Sequence, residues 1–333
     1  MGVVLPAAAL DGYRRFSLYN SPFPAHERGC AVDLYPEGGR RSVAVPSPVA
    51  GVVRETRTVR GPSRPYAAAR DHLLLLDVDP AASGLRVATT AGDAEGRGRG
   101  HGEEGGADRD LVARVLHVDP AVDPGDRVAL GEPLGETVRS GFFAPWVADH
   151  LHLGLRPADR DLRRASGSLP LSVDVRVEPL PWDGTGRAVA TGETYVTLDA
   201  PAHPAPGAGW VGVAGETGVA PRGSLRSSPG RPSLPGLALD GGLPHYPGGG
   251  AYAAGRRADE PRAVSLAGTP VGHTEGRTVR WRDVTVTANR HPMTGISLVV
   301  GRDGAFGVKL VSRDGHPFAV GDRIAVGIES GRR

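Results

Sequence analysis

Only one cysteine, Cys30, and one lysine, Lys309, occur among the 333 residues. A lone cysteine excludes any disulfide within the chain, so packing or a bound metal must stabilise the fold and no oxidising compartment is required. Arginine therefore carries nearly all of the basic charge, which we read as coding bias. No stretch reaches the roughly 18 uninterrupted apolar residues that a membrane helix requires, so no membrane partner is expected. The start, MGVVLPAAALDGYRR, has neither a basic n-region nor a small-residue cleavage site, and on that reading the protein is cytoplasmic unless exported by an unseen route. Charge of one sign is also missing: 39 basic residues face 37 acidic ones, and no basic run interleaves with aromatics, so nucleic acid is not an expected partner. Aromatic residues make up only 5% of the chain.

What is abundant is glycine and proline, at 49 and 30 residues, which favours many short strands and turns over long helices. The length suits two domains, each with its own core. RSVAV, AGVVRETRTV, HLLLLDVD, LRVATT, LVARVLHV, DRVAL and HLHLGLR read as strands bounded by Gly and Pro. They assign residues 1–173 to a β domain. Residues 91–110, Gly-rich, charged and almost without apolar side chains, read as a flexible loop within it. Residues 174–333 form a second, small β domain, in which 201–262 is an irregular Pro/Gly-rich stretch before strand signals return from Val264. PGDRVALGE at 124–132 and VGDRIAVGI at 320–328 echo one another, and a recurrent hairpin solution explains this better than duplication.

The chemistry gathers in two short segments. In DHLHLGLRP at 149–157, His150 and His152 lie two apart in a strand, so their side chains share a face, while Leu151, Leu153 and Leu155 fill the opposite one and pack on a core. The histidine face is then expected to open on a cleft. In HERGCAVDLYP, His26 precedes Asp33 by seven residues, and Asp33 begins a strand. Two imidazoles and a carboxylate match the three-ligand set of a catalytic zinc site, which leaves a fourth position to water. Taken singly, a strand histidine pair is more often structural, and an Asp beside a turn is more often a cap. Cys30 lies between the first two candidates and reads as a metal ligand or, more simply, as a small buried thiol.

In order, HERGCAVDLYP, VPSPVAGVV, VLHVDPAVDPGDRVALGEPLG and DHLHLGLRP resemble the lysostaphin-like, or LytM-type (M23), zinc peptidases over residues 20–160. Val122, Gly125, Val128, Gly131 and Gly135 fall on that family's Val/Gly pattern after its lone histidine. The resemblance implies an antiparallel β sandwich of the duplicated-hairpin type and a Zn2+ cofactor bound by His26, Asp33 and His152. It further implies His117 and His150 as catalytic histidines, and a peptide or peptide cross-link as substrate. Of the two catalytic histidines, His150 is read as the base and His117 as the oxyanion's partner, with the reverse order open. Phe142, Phe143 and Trp146, in RSGFFAPWVAD, line a pocket or cover the core.

Two other classes compete with a zinc endopeptidase or amidase. One is a non-catalytic metal-binding structural or interaction module on the same fold. The other is a biotin- or lipoyl-carrier, which SPVAGVV and PGDRVALGEPLG also resemble, but Lys309 lies far from both hairpins and this class is set aside. His72, His101, His203, His245, His273, His291 and His316 read as surface residues. The G-x-G-x-x-G-like strings near Gly96 lack the flanking strand and helix of a dinucleotide site.

Overall fold

The computed structural model describes residues 1–38, 43–88, 110–218, 234–253 and 261–331. The flexible-loop reading of 91–110 (apart from Asp110), the surface reading of His101, the strings near Gly96 and residues 219–233 and 254–260 fall outside the described residues; the rest of the 201–262 stretch is not irregular as expected but carries the strands Trp210–Gly218, Leu234–Leu243 and Gly249–Ala253. Among the described residues the chain is mostly β, with one four-residue helical turn at Pro24–Glu27 and one 3-10 turn at Ala7–Leu10. No helix is long and apolar enough to cross a membrane. Contacts divide the chain into two units: Met1–Tyr13 with Arg28–Val175, and Arg14–Glu27 with Arg176–Arg333.

The first unit is organised by a six-stranded antiparallel sheet in the order Val32–Pro36, Leu151–Pro157, Leu111–Leu116, Asp71–Val78, Gly51–Val59 and Arg127–Val128. Leu151, Leu153 and Leu155 are fully buried, so this strand packs its leucine face on a core as its alternation predicts. The run Leu73–Leu76 is buried on both faces, which explains why it is continuous rather than alternating. Two three-stranded sheets complete the unit. Gly2–Leu5 sits between Leu171–Val173 and Arg86–Ala88, and Pro133–Thr137 sits between Ala44–Pro46 and Val118–Pro120.

LVARVLHV reads as one strand, but it is broken: strand Leu111–Leu116 ends, His117 takes φ 69°, and Val118–Pro120 joins a different sheet. A positive φ at a residue with a Cβ is costly, and here it turns the His117 side chain out of the strand's alternation. Gly135 is required for a similar reason. Its φ is +148°, and a Cβ there would collide with the Asp119 carbonyl of the neighbouring strand.

In the second unit, Trp210–Gly218, Leu234–Leu243, Gly249–Ala253, Thr278–Trp281, Thr269–Glu275 and Ala263–Leu266 pair antiparallel in that order, and the last pairs back to the first, closing a barrel. Its core includes Val213, Leu239, Val264, Leu266, Val271 and Val279. The sequence echo resolves into one turn used twice. Asp126 Oδ2 accepts from the Asp123 amide and Asp322 Oδ2 from the Ala319 amide, each at 2.8 Å. The preceding glycines have φ 100° and 97°. In both copies the Asp side chain reaches back to the amide three residues earlier and closes the tight connection.

Candidate metal and histidine site

Strand ends, one helical turn and one loop supply the site. His26 lies on the helical turn Pro24–Glu27 and is fully buried. Its Nδ1 lies 2.9 Å from the Leu18 carbonyl; a carbonyl only accepts, so Nδ1 carries the proton and Nε2 keeps its lone pair. Asp33 is the second residue of Val32–Pro36, directly across the ladder from His152. His152 Nδ1 and Asp33 Oδ1 are 3.0 Å apart. One ligand atom from each of His26, Asp33 and His152 lies within 4.8 Å of the others, so the three residues can hold a metal ion. Two imidazole nitrogens and one carboxylate oxygen fit a borderline divalent ion.

His150 and His117 stand beside this group. His150 Nδ1 donates to the Ala148 carbonyl at 2.8 Å, which turns Nε2 toward Asp33 Oδ2 at 3.4 Å. His117 Nδ1 meets Asp71 Oδ2 at 2.7 Å, and the two histidine rings are 5.7 Å apart, edge to face. The His117 ring is 6.1 Å from that of His152. Rather than lying open on a cleft, His26, His117 and His150 are buried, and only His152 is partly exposed. The loop 140–149 packs on His117 and His150. Phe143 stacks on His150 with centroids 4.2 Å apart and meets His117 edge-on at 4.6 Å. Arg139 clasps that loop by donating to Asp149 and to the carbonyls of Ala144, Pro145 and Val147, with its guanidinium over the Phe143 ring.

Asp71 is the residue that sequence reasoning passed over. It is 2% exposed and accepts hydrogen bonds from His117 Nδ1, from Ser140 Oγ at 2.5 Å and from the His72 amide at 2.7 Å. Burial pushes its carboxyl up, but the bonds from His117 and Ser140 and the His117 charge outweigh this and hold it below the usual carboxylate range. Burial is also the largest influence on His117; it prevails over the opposing pull of Asp71 and lowers the imidazole, keeping it neutral near pH 7. The available signal was an acid standing directly before a doubly buried run, where an unpaired carboxylate is too costly to occur.

Cys30 is a buried thiol whose Sγ contacts the Arg28 carbonyl at 3.6 Å, and it is not among the grouped ligands. Of the histidines read as surface residues, His273 is exposed, whereas His72, His203, His245, His291 and His316 are half-buried. Glycine-rich neighbours allow close packing around His245, whose ring lies against Tyr246 at 4.4 Å.

Residues 4–173 match the family described as Domain of unknown function (DUF8155) N-terminal domain, over half of the chain. The chain belongs to the DUF8155 family. Its residues 178–329 match the companion DUF8155 C-terminal domain, so the histidine site lies wholly within the DUF8155 N-terminal match. No curated protein matches the sequence at a significant level. Among solved structures, this DUF8155 chain is similar to the NMR solution structure of lysostaphin at 15% identity, covering 82% of this chain and 88% of that one with a TM-score of 0.25. A superposition of that quality carries no argument about the site.

Proposed function

We propose that the N-terminal domain is a zinc-dependent peptidase that hydrolyses a peptide amide bond, with zinc on His26, Asp33 and His152 and assistance from His117 and His150. Zinc in such a set lowers the pKa of water toward about 7 and polarises a carbonyl. The observation that carries the reading is the Asp71–His117 pair beside the three grouped ligands.

Asp71 fixes the His117 tautomer, with the proton on Nδ1 and the lone pair on Nε2. His117 thus takes the proton of the attacking water at Nε2, and the anionic Asp71 stabilises the imidazolium that results. The same proton passes to the departing amine, which restores neutral His117. His150, held through Nδ1 by the Ala148 carbonyl, presents Nε2 to the same space as the partner of the developing oxyanion. Asp71 therefore favours His117 as the base, the reverse of the order preferred from sequence. Phe143, stacked on His150, excludes water and strengthens these interactions.

The test is metal content by plasma mass spectrometry on wild type and Asp33→Ala, followed by hydrolysis of glycine-rich and cross-linked peptides. One zinc per chain, lost in Asp33→Ala, with a hydrolysis that His117→Ala abolishes, is expected. Zinc bound without any hydrolysis would leave a metal-binding structural module, and no zinc after loading would overturn the site.

A further inference from the structure

Two buried arginines lie on the metal-bearing face of the first unit's main sheet, and among the described residues neither forms an ion pair, although Asp161 attracts Arg156 and Asp71 attracts Arg114 electrostatically. His152, Gly154 and Arg156 alternate along one strand and share a face. Register places Leu116, Arg114 and Val112 opposite them on the neighbouring strand, on that same face. Arg156 is fully buried and Arg114 is 9% exposed. Arg156 donates from Nε to Ser168 Oγ at 3.2 Å and from Nη1 to the Asp161 carbonyl at 2.7 Å, while its Nη2 is buried without a hydrogen-bond partner. Arg114 Nε is likewise buried and unpartnered, and no carboxylate among the described residues forms an ion pair with it. Asp71 attracts Arg114 electrostatically, but all three of its described hydrogen bonds come from His117, Ser140 and His72. Burial, and then the charge of Arg156, push the Arg114 guanidinium down to about 10.

Two like charges out of water with donors unused are expensive, and such a pair is stabilised by an anion that brings acceptors to it. A planar guanidinium matches a carboxylate in two-point geometry. Arg156 is pinned from behind by Ser168, which also closes over Gly154, where a Cβ would meet Ser168 Oγ at 2.6 Å. Arg114, the one retaining exposure, is the contacting group, and Arg156 adds field. Gly154, opposite Arg114, is two residues along the strand from the proposed ligand His152, a distance of about 7 Å.

We propose that Arg114, backed by Arg156, binds a carboxylate of the peptide substrate about two residues from the bond that is cut. The peptide assignment rests on the peptidase reading above; the anion site does not. The substrate class that follows is a peptide with a free C-terminal carboxylate or an acidic side chain at that distance.

The experiment uses the full chain in zinc-loaded and zinc-free forms, and measures by calorimetry the binding of triglycine, triglycine amide and inorganic phosphate. The free acid is expected to bind at least 10-fold more tightly than the amide in both forms, with the difference lost in Arg114→Gln and partly kept in Arg114→Lys. Should either variant fail to fold, the wild-type comparison of acid with amide still decides. Equal binding of acid and amide by folded wild type overturns the proposal, and so does phosphate binding tighter than the acid. A preference for the acid in protein that never takes up zinc supports the anion site while removing the peptidase reading. Bound zinc with no such preference removes the anion site alone.

Discussion

His117 Nδ1 and Asp71 Oδ2, 46 residues apart in sequence, meet at 2.7 Å only because His117 adopts a left-handed backbone conformation between two strands that belong to different sheets. A regular extended residue there would send the imidazole to another face. Asp71→Asn keeps the shape but permits the wrong imidazole tautomer. Peptide hydrolysis is expected to fall on the order of 10²- to 10⁴-fold with metal content unchanged. Steady-state kinetics alongside metal analysis checks this, and retained activity would remove Asp71 from the mechanism.

Ser140 donates to Asp71 Oδ2, the same oxygen that His117 meets. Ser140→Ala should cost about 1.5–3 kcal/mol of stability at neutral pH, since a buried anion loses a donor. The sign with pH follows from a folded carboxyl held below its unfolded value: the stabilisation is present above about pH 4 and is lost as pH falls below it. The deficit of the variant, measured by urea unfolding, should therefore shrink in acid.

Removing metal should lower the thermal midpoint, because an ion held by the native site alone stabilises in proportion to ln(1 + [metal]/Kd). A chelator is expected to shift wild type downward and to leave His26→Ala unmoved. An equal shift in both would place the bound metal elsewhere.

Asp240 and His245, in the second unit, should oppose one another in acid. Burial raises the Asp240 carboxyl to about 6, so its contribution is full below about pH 3.8 and lost as pH rises to 6. Burial lowers His245 to about 4 from 6.5, so its contribution is absent in acid and gained over nearly the same window. Each effect amounts to about 3 kcal/mol. Relative to wild type, Asp240→Asn should gain stability between pH 4 and 6, and His245→Gln should lose it. Parallel pH profiles for all three proteins would contradict this.

Three glycines on the Val/Gly pattern are not equivalent. Gly125 and Gly131 face open space with φ 100° and 81°, so alanine there costs about 1–2 kcal/mol from the backbone alone. Gly135→Ala adds a collision with the Asp119 carbonyl and should cost more than either, as denaturant midpoints would show.

The β class was legible because alternation and Gly/Pro punctuation are local properties, and the leucines of HLHLGLR pack as their period dictates. The grouping of His26, Asp33 and His152 was legible only through their order along the chain, since nothing local in HERGCAVDLYP brings His26 near a strand more than a hundred residues later. Asp71 and the arginine pair were not legible. Their meaning depends on a broken strand at His117 and on cross-strand register, neither of which leaves a periodic trace. The surface reading of His245 missed its half-burial because Gly295, which lies close against its ring, is distant in sequence.

Residues 14–27 cluster with the C-terminal unit, and three of the donors to the buried Asp240 carboxylate come from there: Ser17 Oγ at 2.5 Å, the Leu18 amide at 2.7 Å and the Tyr19 amide at 3.3 Å. On the ribosome, a segment made among the first must therefore wait, unpaired, until the barrel that needs it has been made more than two hundred residues later. Contacts of such separation are slow to close, so the second unit should be the late step of folding, and a fragment beginning at residue 176 would retain, of these donors, only Tyr252.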